Sequence, residues 1–472
     1  MSVTESTASP ERTEGTKRAE RTAIGAESAA RARDTLARNH RTGFSRAAQR
    51  HFDFTCPSPD SYPFQWAWDS SFHAIALTHV DTRRARDELR SLLGAITPTG
   101  FLPHMVLWQD DLRPRATADF RIDLWEGWRS VTIAPPVVAR AVERVYRATG
   151  DDLWLRRVLP PALAFFGWLR DHRTSPGTGL LEIYQPDESG LDSSPKYDAA
   201  LGIESAAEDA VGTAWHSAMR SLITAYASPS RTPETPLRDR RLFVWNDVLL
   251  NTVYADGLAC LARLVRRVEP NGRTADRLAE ESRAIGAALM RHCWDETAGA
   301  FQDLDLVAGK RSGVLTASSL VPVLLDSVPD AAARRVIEEH LLNEREFWRP
   351  HPVPSVAATE PSYDASFRTG AIFRGSSWVN LNWYLYGGLR HRGYHAEADT
   401  LAARTCALVA ASGTRECYGP EDAEGHGARS FGWSSLVLDL AATTTDTTHP
   451  TDPTDATGTA GPTGATAPAE ED

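Results

Sequence analysis

The sequence predicts an all-α fold, an (α/α)6 barrel in which six helical hairpins form a toroid with long loops at one end. About a dozen segments of the 472-residue chain carry apolar residues at helical spacing. Few segments alternate polar and apolar residues as half-buried strands do. Long loops alternate with the helices, and a ring of hairpins would collect them at one end. A helical bundle with insertions is the second choice, and an α/β fold is the third because buried strands are missing.

The predicted helices of the first half begin in an alanine-rich, arginine-bearing segment. Further on, Leu89, Leu92 and Leu93 are spaced to share one helix face. Pro135 and Pro136 suit the first turn of a helix, because a proline there removes only a donor that has no partner. A second pair, Pro160-Pro161, predicts a kink or break. The expected helices are 26–41, 74–80, 82–96, 137–149, 152–172 and 207–227.

The second half opens with a long apolar-periodic helix, which Asn271-Gly272 ends. A turn-rich piece with short strands follows at 299–313, and residues 347–377 are irregular and rich in Pro, Gly, Tyr and Phe. The expected helices are 243–268, 274–294, 315–325, 330–342, 380–392, 396–412 and 431–442.

The chain divides into one large helical domain and two polar ends. Residues 1–23 are polar and poor in apolar side chains, so we expect them to be disordered. Residues 443–472 are rich in Thr, Pro, Gly and Asp, which predicts a flexible tail. The helical domain is therefore expected to span residues 24–442.

Composition excludes several classes of function. A net charge of −11 argues against nucleic acid as a partner, since phosphate binding needs a basic face. The five cysteines form no C-x-x-C pair and the histidines form no zinc motif, so we expect no metal and no other cofactor. No signal peptide or membrane span is apparent, which favours the cytoplasm. The expected partner is a small molecule, and nothing indicates the oligomeric state.

The acidic loop, residues 185–198, is the most unusual stretch of the chain. It holds four carboxylates among prolines, serines and a glycine, between Tyr184 and the next helix. Asp192 follows a glycine and precedes Ser-Ser-Pro, so its backbone is expected in a tight turn. A desolvated carboxyl group there could stay protonated near neutral pH, as a general acid must. The alternative is that Asp192 only caps the following turn.

A second acid-rich loop lies near the other end, at residues 415–427. Glu421, Asp422 and Glu424 resemble a solvated hairpin tip, whereas Glu416 lies where a helix gives way to the loop and is the better candidate for a buried base. An inverting glycoside hydrolase needs such a pair of carboxyl groups, about 6.5–9.5 Å apart to leave room for water.

Two aromatic segments could line a sugar site. In residues 64–69, Trp66 or Trp68 could stack on a sugar ring while Asp69 binds hydroxyl groups. In residues 373–383, Arg374 could pair with a carboxylate of the protein or of an acidic aglycone. The alternatives are ordinary core packing for the tryptophans and a structural Arg–Asp pair.

Four ordered motifs resemble those of the mannosylglycerate and glucosylglycerate hydrolases grouped with glycoside hydrolase family 63, and more distantly those of trehalases. They are Trp66-Ala-Trp-Asp-Ser-Ser-Phe-His73, Glu188-Ser-Gly-Leu-Asp-Ser-Ser-Pro195, Arg374-Gly-Ser-Ser-Trp-Val-Asn-Leu-Asn-Trp383, and Glu416-Cys-Tyr-Gly-Pro420 with Phe431-Gly-Trp-Ser434. The resemblance covers roughly residues 40–442. It implies an (α/α)6 barrel and an inverting, metal-free α-glycosidase acting on a small glucoside or mannoside.

The resemblance also implies roles for individual residues. Asp192 would be the general acid, Glu416 the general base, and Asp69 a ligand of sugar hydroxyls. The expected substrate-binding residues are Tyr62, Trp66, Trp68, Asp69, Gly190, Arg374, Trp378, Asn382, Trp383 and Trp433.

Two departures from the family pattern bear on specificity. Ala134 stands where relatives usually carry Gln before the proline pair, and residues 421–426 differ from the usual Thr-Gly-Glu-Gly text. They keep two alternatives open: a catalytically inactive sugar-binding or scaffold member of the same fold, and a trehalase-like or oligosaccharide α-glucosidase. An isomerase would need two histidines facing the sugar, where these loops offer acids.

Overall fold

The computed structural model describes residues 10–118, 124–204, 207–228 and 230–445. Within these ranges the chain is mainly helical. The helices are α1 (Pro10–Arg38), α2 (Ala67–Leu77), α3 (Thr82–Leu93), α4 (Arg113–Ala118), α5 (Val138–Thr149), α6 (Asp152–Arg173), α7 (Asp198–Leu201), α8 (Val211–Tyr226), α9 (Val248–Val268), α10 (Arg273–His292), α11 (Asp330–Arg335), α12 (Val379–His391), α13 (His395–Ser412) and α14 (Val437–Thr445).

Short antiparallel strands in the loops form five small sheets within the described ranges. The strands are β1 (His40–Ser45), β2 (Arg50–Thr55), β3 (Gln65–Trp66), β4 (Met105–Val106), β5 (Leu124–Trp125), β6 (Arg129–Ser130), β7 (Trp245–Asn246), β8 (Trp294–Asp295), β9 (Ala300–Phe301), β10 (Leu304–Asp305), β11 (Lys310–Arg311), β12 (Arg415–Tyr418) and β13 (Gly425–Arg429). The largest sheet has the order β3-β4-β6-β5.

Six inner segments close a ring in the described part of the chain. Helices α2, α5 and α9 pack side by side, the 3₁₀ turn Val321–Leu324 follows, and then come α12 and the 3₁₀ turn Gly432–Leu436, which returns to α2. Helices α3, α6, α10 and α13 pack outside the inner helices that they follow in the chain, and α1 packs against the last turn. This closed ring confirms the predicted (α/α)6 barrel.

Two inner segments differ from the sequence prediction. Residues 315–325 and 431–442 were expected to be helices, but 3₁₀ turns replace the first and the beginning of the second. Pro322 lies in the first turn of one of them, and proline cannot donate to a longer helical ladder. The opposite difference occurs at Pro160-Pro161, where a break was predicted but α6 runs continuously through both prolines.

Helix α9 is the longest inner helix of the ring. Asp247 caps its N-terminus by accepting a hydrogen bond from the Leu250 amide at 2.7 Å. By length and composition α9 could cross a membrane, but most of it is buried inside the domain, as expected of a core helix.

The predicted disorder of residues 1–23 disagrees with the structure over part of that range. Helix α1 begins at Pro10, and its Ala, Glu and Arg residues are good helix formers despite their polarity. Similarly, α14 continues to Thr445, just past the expected start of the tail. Residues 1–9 and 446–472 lie outside the described part of the chain, so their predicted disorder stays a prediction.

Candidate active site

A cavity of about 640 Å³ lies where the connecting loops meet. Most of its wall comes from connections that lead from an outer helix to the next inner segment, including helix α8, and the first turn of α2 adds Trp68 and Asp69. Eight of the predicted site residues line it: Tyr62, Trp66, Trp68, Asp69, Gly190, Asp192, Glu416 and Trp433. The ring has thus brought Asp192 and Glu416, 224 positions apart in the sequence, to one cavity.

Asp192 follows a tight turn that only glycine allows. The 3₁₀ turn Pro186–Ser189 ends at Gly190, whose φ of +74° is in the left-handed region. A Cβ atom at this position would also lie 2.9 Å from the Trp68 ring. Burial, with the negative charges of Asp187 and Glu416 nearby, raises the pKa of Asp192 to about 8. This carboxyl group therefore holds its proton at neutral pH.

A buried ion pair fixes the first half of the acidic loop. Arg173 at the end of α6 donates to both carboxylate oxygens of Glu188, at 2.7 and 2.8 Å. The same carboxylate accepts backbone amides of Tyr184 and Ile133, at 2.8 and 3.1 Å. Arg173 and these hydrogen bonds lower the pKa of Glu188 against the effect of burial. Glu188 is therefore a structural anion behind the cavity.

A second buried cluster fixes the other half of the loop. The Lys196 ammonium group donates to Asp247 at 2.5 Å and to Asp303 at 3.1 Å, with all three side chains inaccessible to solvent. Asp247 also caps α9 and accepts the Tyr197 hydroxyl at 2.8 Å. The loop is thus tied directly to an inner helix of the ring.

Glu416 lies on the Glu416 hairpin, which is formed by β12 and β13 at residues 415–429. The register of this hairpin shifts between Arg415 and Cys417, so Glu416 lies at an irregularity of the ladder. The Tyr62 hydroxyl donates to one carboxylate oxygen at 3.1 Å, and the Ala428 amide donates to the other at 2.8 Å. Burial raises the pKa of Glu416 above its ordinary value, and these two hydrogen bonds offset only part of that increase.

Asp69 projects from the first turn of α2 into the same cavity. It is 5% exposed, and its Oδ1 atom accepts no hydrogen bond from the described residues. Burial, with Glu416 and Asp192 as negative neighbours, raises its pKa well above the ordinary range. A buried oxygen without a protein partner in a cavity wall is available to a ligand hydroxyl group.

Four predicted substrate ligands lie behind the cavity wall instead. Arg374 pairs with Asp198 at 2.5 and 2.9 Å, so the structure supports the structural Arg–Asp pair over a substrate contact. The buried Trp378 ring stacks on Phe373 at a centroid distance of 3.8 Å. Phe373 itself lines the cavity, so Trp378 supports the wall from behind.

The other two of these residues, Asn382 and Trp383, form hydrogen bonds within the protein. Asn382 donates to the Pro352 carbonyl at 2.8 Å and accepts the Val353 amide at 2.9 Å. Trp383 donates its indole N–H to Asp439 at 2.7 Å. Both side chains face protein groups because α12 is buried on nearly all sides.

Sequence reasoning missed one wall of the cavity. Helix α8 and the chain around it contribute Trp215, His216, Met219, Arg220, Ile223 and Arg231, and the acidic loop contributes Gln185 and Asp187. An amphipathic helix such as α8 is normally interpreted as packing, and nothing in its sequence distinguishes a cavity-facing side. Gln185 and Asp187 belong to the acidic loop, but residue type alone does not show which of its polar groups face the cavity.

The two departures from the family pattern lie outside the cavity lining. Ala134 is buried in the main hydrophobic core. Glu421 pairs with Arg349 at 2.7 Å and accepts the Tyr363 hydroxyl at 3.0 Å on the surface. Neither residue changes the set of carboxyl groups in the cavity. Among the residues that the structure describes, no three His, Cys, Asp or Glu side chains are placed to hold a metal ion.

Comparison with known protein families matches residues 62–434 to the mannosylglycerate hydrolase MGH1-like glycoside hydrolase domain. The match covers most of the chain and every residue of the cavity discussed above. The chain belongs to this family. It is therefore a glycoside hydrolase, and the resemblance seen in its four motifs is confirmed.

Relatives of this glycoside hydrolase include two with named substrates. The mannosylglycerate hydrolase of Thermus thermophilus is 30% identical over 409 residues, which cover 81% of this chain and 95% of that protein. The glucosylglycerate hydrolase of Mycolicibacterium hassiacum is 25% identical over 438 residues, covering 82% and 93%.

Solved structures agree with the fold. The glycoside hydrolase family 63 mannosylglycerate hydrolase from Thermus thermophilus, crystallised with Tris and D-glycerate, superposes with a TM-score of 0.73 at 29% identity. That alignment covers 88% of this chain and all of the other. Neutral trehalase from Saccharomyces cerevisiae shares the fold alone, with a TM-score of 0.54 at 15% identity over 86% of this chain and 76% of its own.

Proposed function

We propose that this glycoside hydrolase cleaves the α-glycosidic bond of a small glucoside or mannoside with inversion, Asp192 acting as general acid and Glu416 as general base. Glucosylglycerate and mannosylglycerate are the proposed substrates. The names of the relatives support this substrate class, and the cavity supports the assignment of the two residues.

The contrast between two carboxyl groups in one cavity carries the proposal. Asp192 has a pKa of about 8, so it is protonated at neutral pH and can donate. Glu416 accepts hydrogen bonds from a hydroxyl and an amide, and both donors favour its carboxylate form. Two titratable groups whose environments differ in this way are suited to acid and base roles.

The reaction then needs one water molecule and no covalent intermediate. Asp192 gives its proton to the glycosidic oxygen as the bond to the anomeric carbon breaks. Glu416 takes a proton from the water that attacks the opposite face of that carbon, so the configuration inverts. Asp192 ends as carboxylate and Glu416 as acid, and proton exchange with solvent restores both. Asp69, with its free Oδ1, would hold sugar hydroxyls beside the tryptophans.

Two positively charged side chains in the cavity support an aglycone that carries a carboxylate, such as glycerate. Two arginines, Arg220 and Arg231, line the cavity together with the acids. A guanidinium group binds a carboxylate through two parallel hydrogen bonds, which gives orientation as well as affinity. Glycerate is also the ligand named in the structure of the Thermus thermophilus relative.

The decisive experiment follows hydrolysis of glucosylglycerate and mannosylglycerate by proton NMR. The β-anomer should appear first from an α-glycoside, before mutarotation mixes the two anomers. Trehalose serves as the competing substrate. Release of the α-anomer would exclude inversion, and a preference for trehalose would replace glycerate glycosides with the trehalase-like alternative.

A further inference from the structure

Four carboxyl groups of the described residues line the cavity, and the proposed reaction uses three of them. Asp192 donates the proton, Glu416 activates water and Asp69 holds the sugar. The fourth is Asp187, which lies one turn before Asp192 in the acidic loop. Its side chain is partly exposed at the cavity wall, and the proposed reaction leaves it without a role.

Asp187 is held in place by a specific neighbour. The amide nitrogen of Gln185 donates to both of its carboxylate oxygens, at 2.8 and 2.9 Å. Gln185 lines the cavity as well. An amide bridging both oxygens favours the charged form of the carboxyl group and fixes its orientation toward the rest of the loop.

We propose that Asp187 is a positioning residue for the reaction, a proposal that rests on the proposed function. The negative charge of Asp187, oriented by Gln185 on the cavity wall, keeps the proton on Asp192. Like charges in one buried site cannot both form readily, so the ionisation of one carboxyl group holds the proton on the other. As the pH rises, Asp187 loses its proton first, and Asp192 keeps its own proton and remains the acid.

The electrostatics of the cavity agree with this order. Burial raises the pKa of Asp187 to about 6, below the value of about 8 for Asp192, and Asp187 is the largest charged contributor to the latter. Glu188 raises the pKa of Asp187, while Gln185 and Arg231 lower it. The other titratable or charged groups lining the cavity are Tyr62, Asp69, His104, His216, Arg220, Arg231 and Glu416.

The pH profile of the Asp187→Asn variant tests the proposal. With wild-type enzyme, kcat/KM should fall above about pH 8 as Asp192 loses its proton. In the variant this alkaline limb should move down by roughly one pH unit, because a neutral neighbour no longer opposes ionisation of Asp192. The acidic limb, which belongs to Glu416, should stay in place. Asp276→Asn, at an exposed carboxylate on outer helix α10, is the control and should move neither limb.

A second variant tests the proposal in case the Asp187→Asn protein does not fold. Gln185→Leu removes the nitrogen that donates to both oxygens of Asp187, so Asp187 keeps its proton to higher pH and the alkaline limb should again move down. An unchanged alkaline limb in a folded Asp187→Asn enzyme, with only a higher KM, would make Asp187 a substrate ligand and overturn the proposal. Near-normal activity of Asp192→Asn would instead overturn the proposed function, because the limb would then belong to another group.

Discussion

The acidic loop and the Glu416 hairpin bring the two proposed catalytic carboxyl groups, Asp192 and Glu416, to the same cavity, but different forces hold them. Buried charges tie the acidic loop to the ring, through Glu188 with Arg173 and through Lys196 with Asp247 and Asp303. The Glu416 hairpin is held by hydrogen bonds to its backbone, from its own strand pairing, from Ser377 and from Trp433, and its ion pair with Arg349 lies at the surface.

The difference follows from backbone structure. Within the described residues the acidic loop forms 3₁₀ turns and no strand, so side chains must fix its shape. A strand pair satisfies its own backbone groups and needs fewer side-chain anchors. The two chemical environments also differ, because Glu416 accepts hydrogen bonds from the Tyr62 hydroxyl and the Ala428 amide, while the loop gives Asp192 a negative neighbour in Asp187.

Replacing the two carboxyl groups should have the largest effect and should also tell them apart. Asp192→Asn and Glu416→Gln should each lower kcat for glycerate glycosides by about 10²- to 10⁴-fold, since each removes one proton transfer. A glycosyl fluoride has a leaving group that needs no proton, so Asp192→Asn should hydrolyse it while Glu416→Gln should not.

Circular dichroism should show that both variants keep the wild-type fold. Equal activity of the two variants on the fluoride would mean that the roles are not divided as proposed.

Breaking the buried ion pair of the acidic loop should cost the most stability. Glu188→Gln leaves the Arg173 guanidinium group buried without its counter-charge, which should lower the free energy of unfolding by about 3 to 5 kcal/mol. Urea unfolding would measure this loss as a lower midpoint concentration of urea, with the slope of the free energy against urea concentration unchanged. A loss below about 1 kcal/mol, the range of exposed pairs, would show that the loop does not depend on this pair.

Removing one hydrogen-bond donor to Glu416 should alter the proposed base without unfolding the protein. Tyr62→Phe deletes the hydroxyl that donates to Glu416, and a lost hydrogen bond to a charged group should lower kcat about tenfold. The hydroxyl lowers the pKa of Glu416, so its loss raises that pKa and should move the acidic limb of the pH profile upward. A shift of the alkaline limb instead would reverse the assignment of acid and base.

The smallest effect is expected at the tip of the Glu416 hairpin. Arg349→Met removes the surface pair with Glu421, in which both side chains are partly exposed, and should cost at most about 1 kcal/mol of stability. The same urea titration that measures Glu188→Gln would test it. A cost comparable to that of Glu188→Gln would abolish the contrast between the two regions.

Sequence patterns predicted the ring and eight of the residues that line the cavity, because those patterns reflect local physics. Apolar spacing identified the long helices, and Gly190 beside a cluster of acids marked the turn before Asp192. Sequence reasoning did not place Arg374, Asn382 and Trp383 correctly relative to the cavity, because such side chains bind protein groups as readily as sugars. Residue type gives the chemistry of a side chain but not the partner that it will face.

By itself, the sequence determined that this chain is an all-helical glycoside hydrolase with two acid-bearing loops. Only the tertiary structure decided that Asp192 and Glu416 share a cavity, that helix α8 supplies one wall, and that Asp187 adds a fourth carboxyl group. The physical reason is that a titratable group takes its properties from burial and from charges distant in the chain. Those neighbours exist only after the ring has closed.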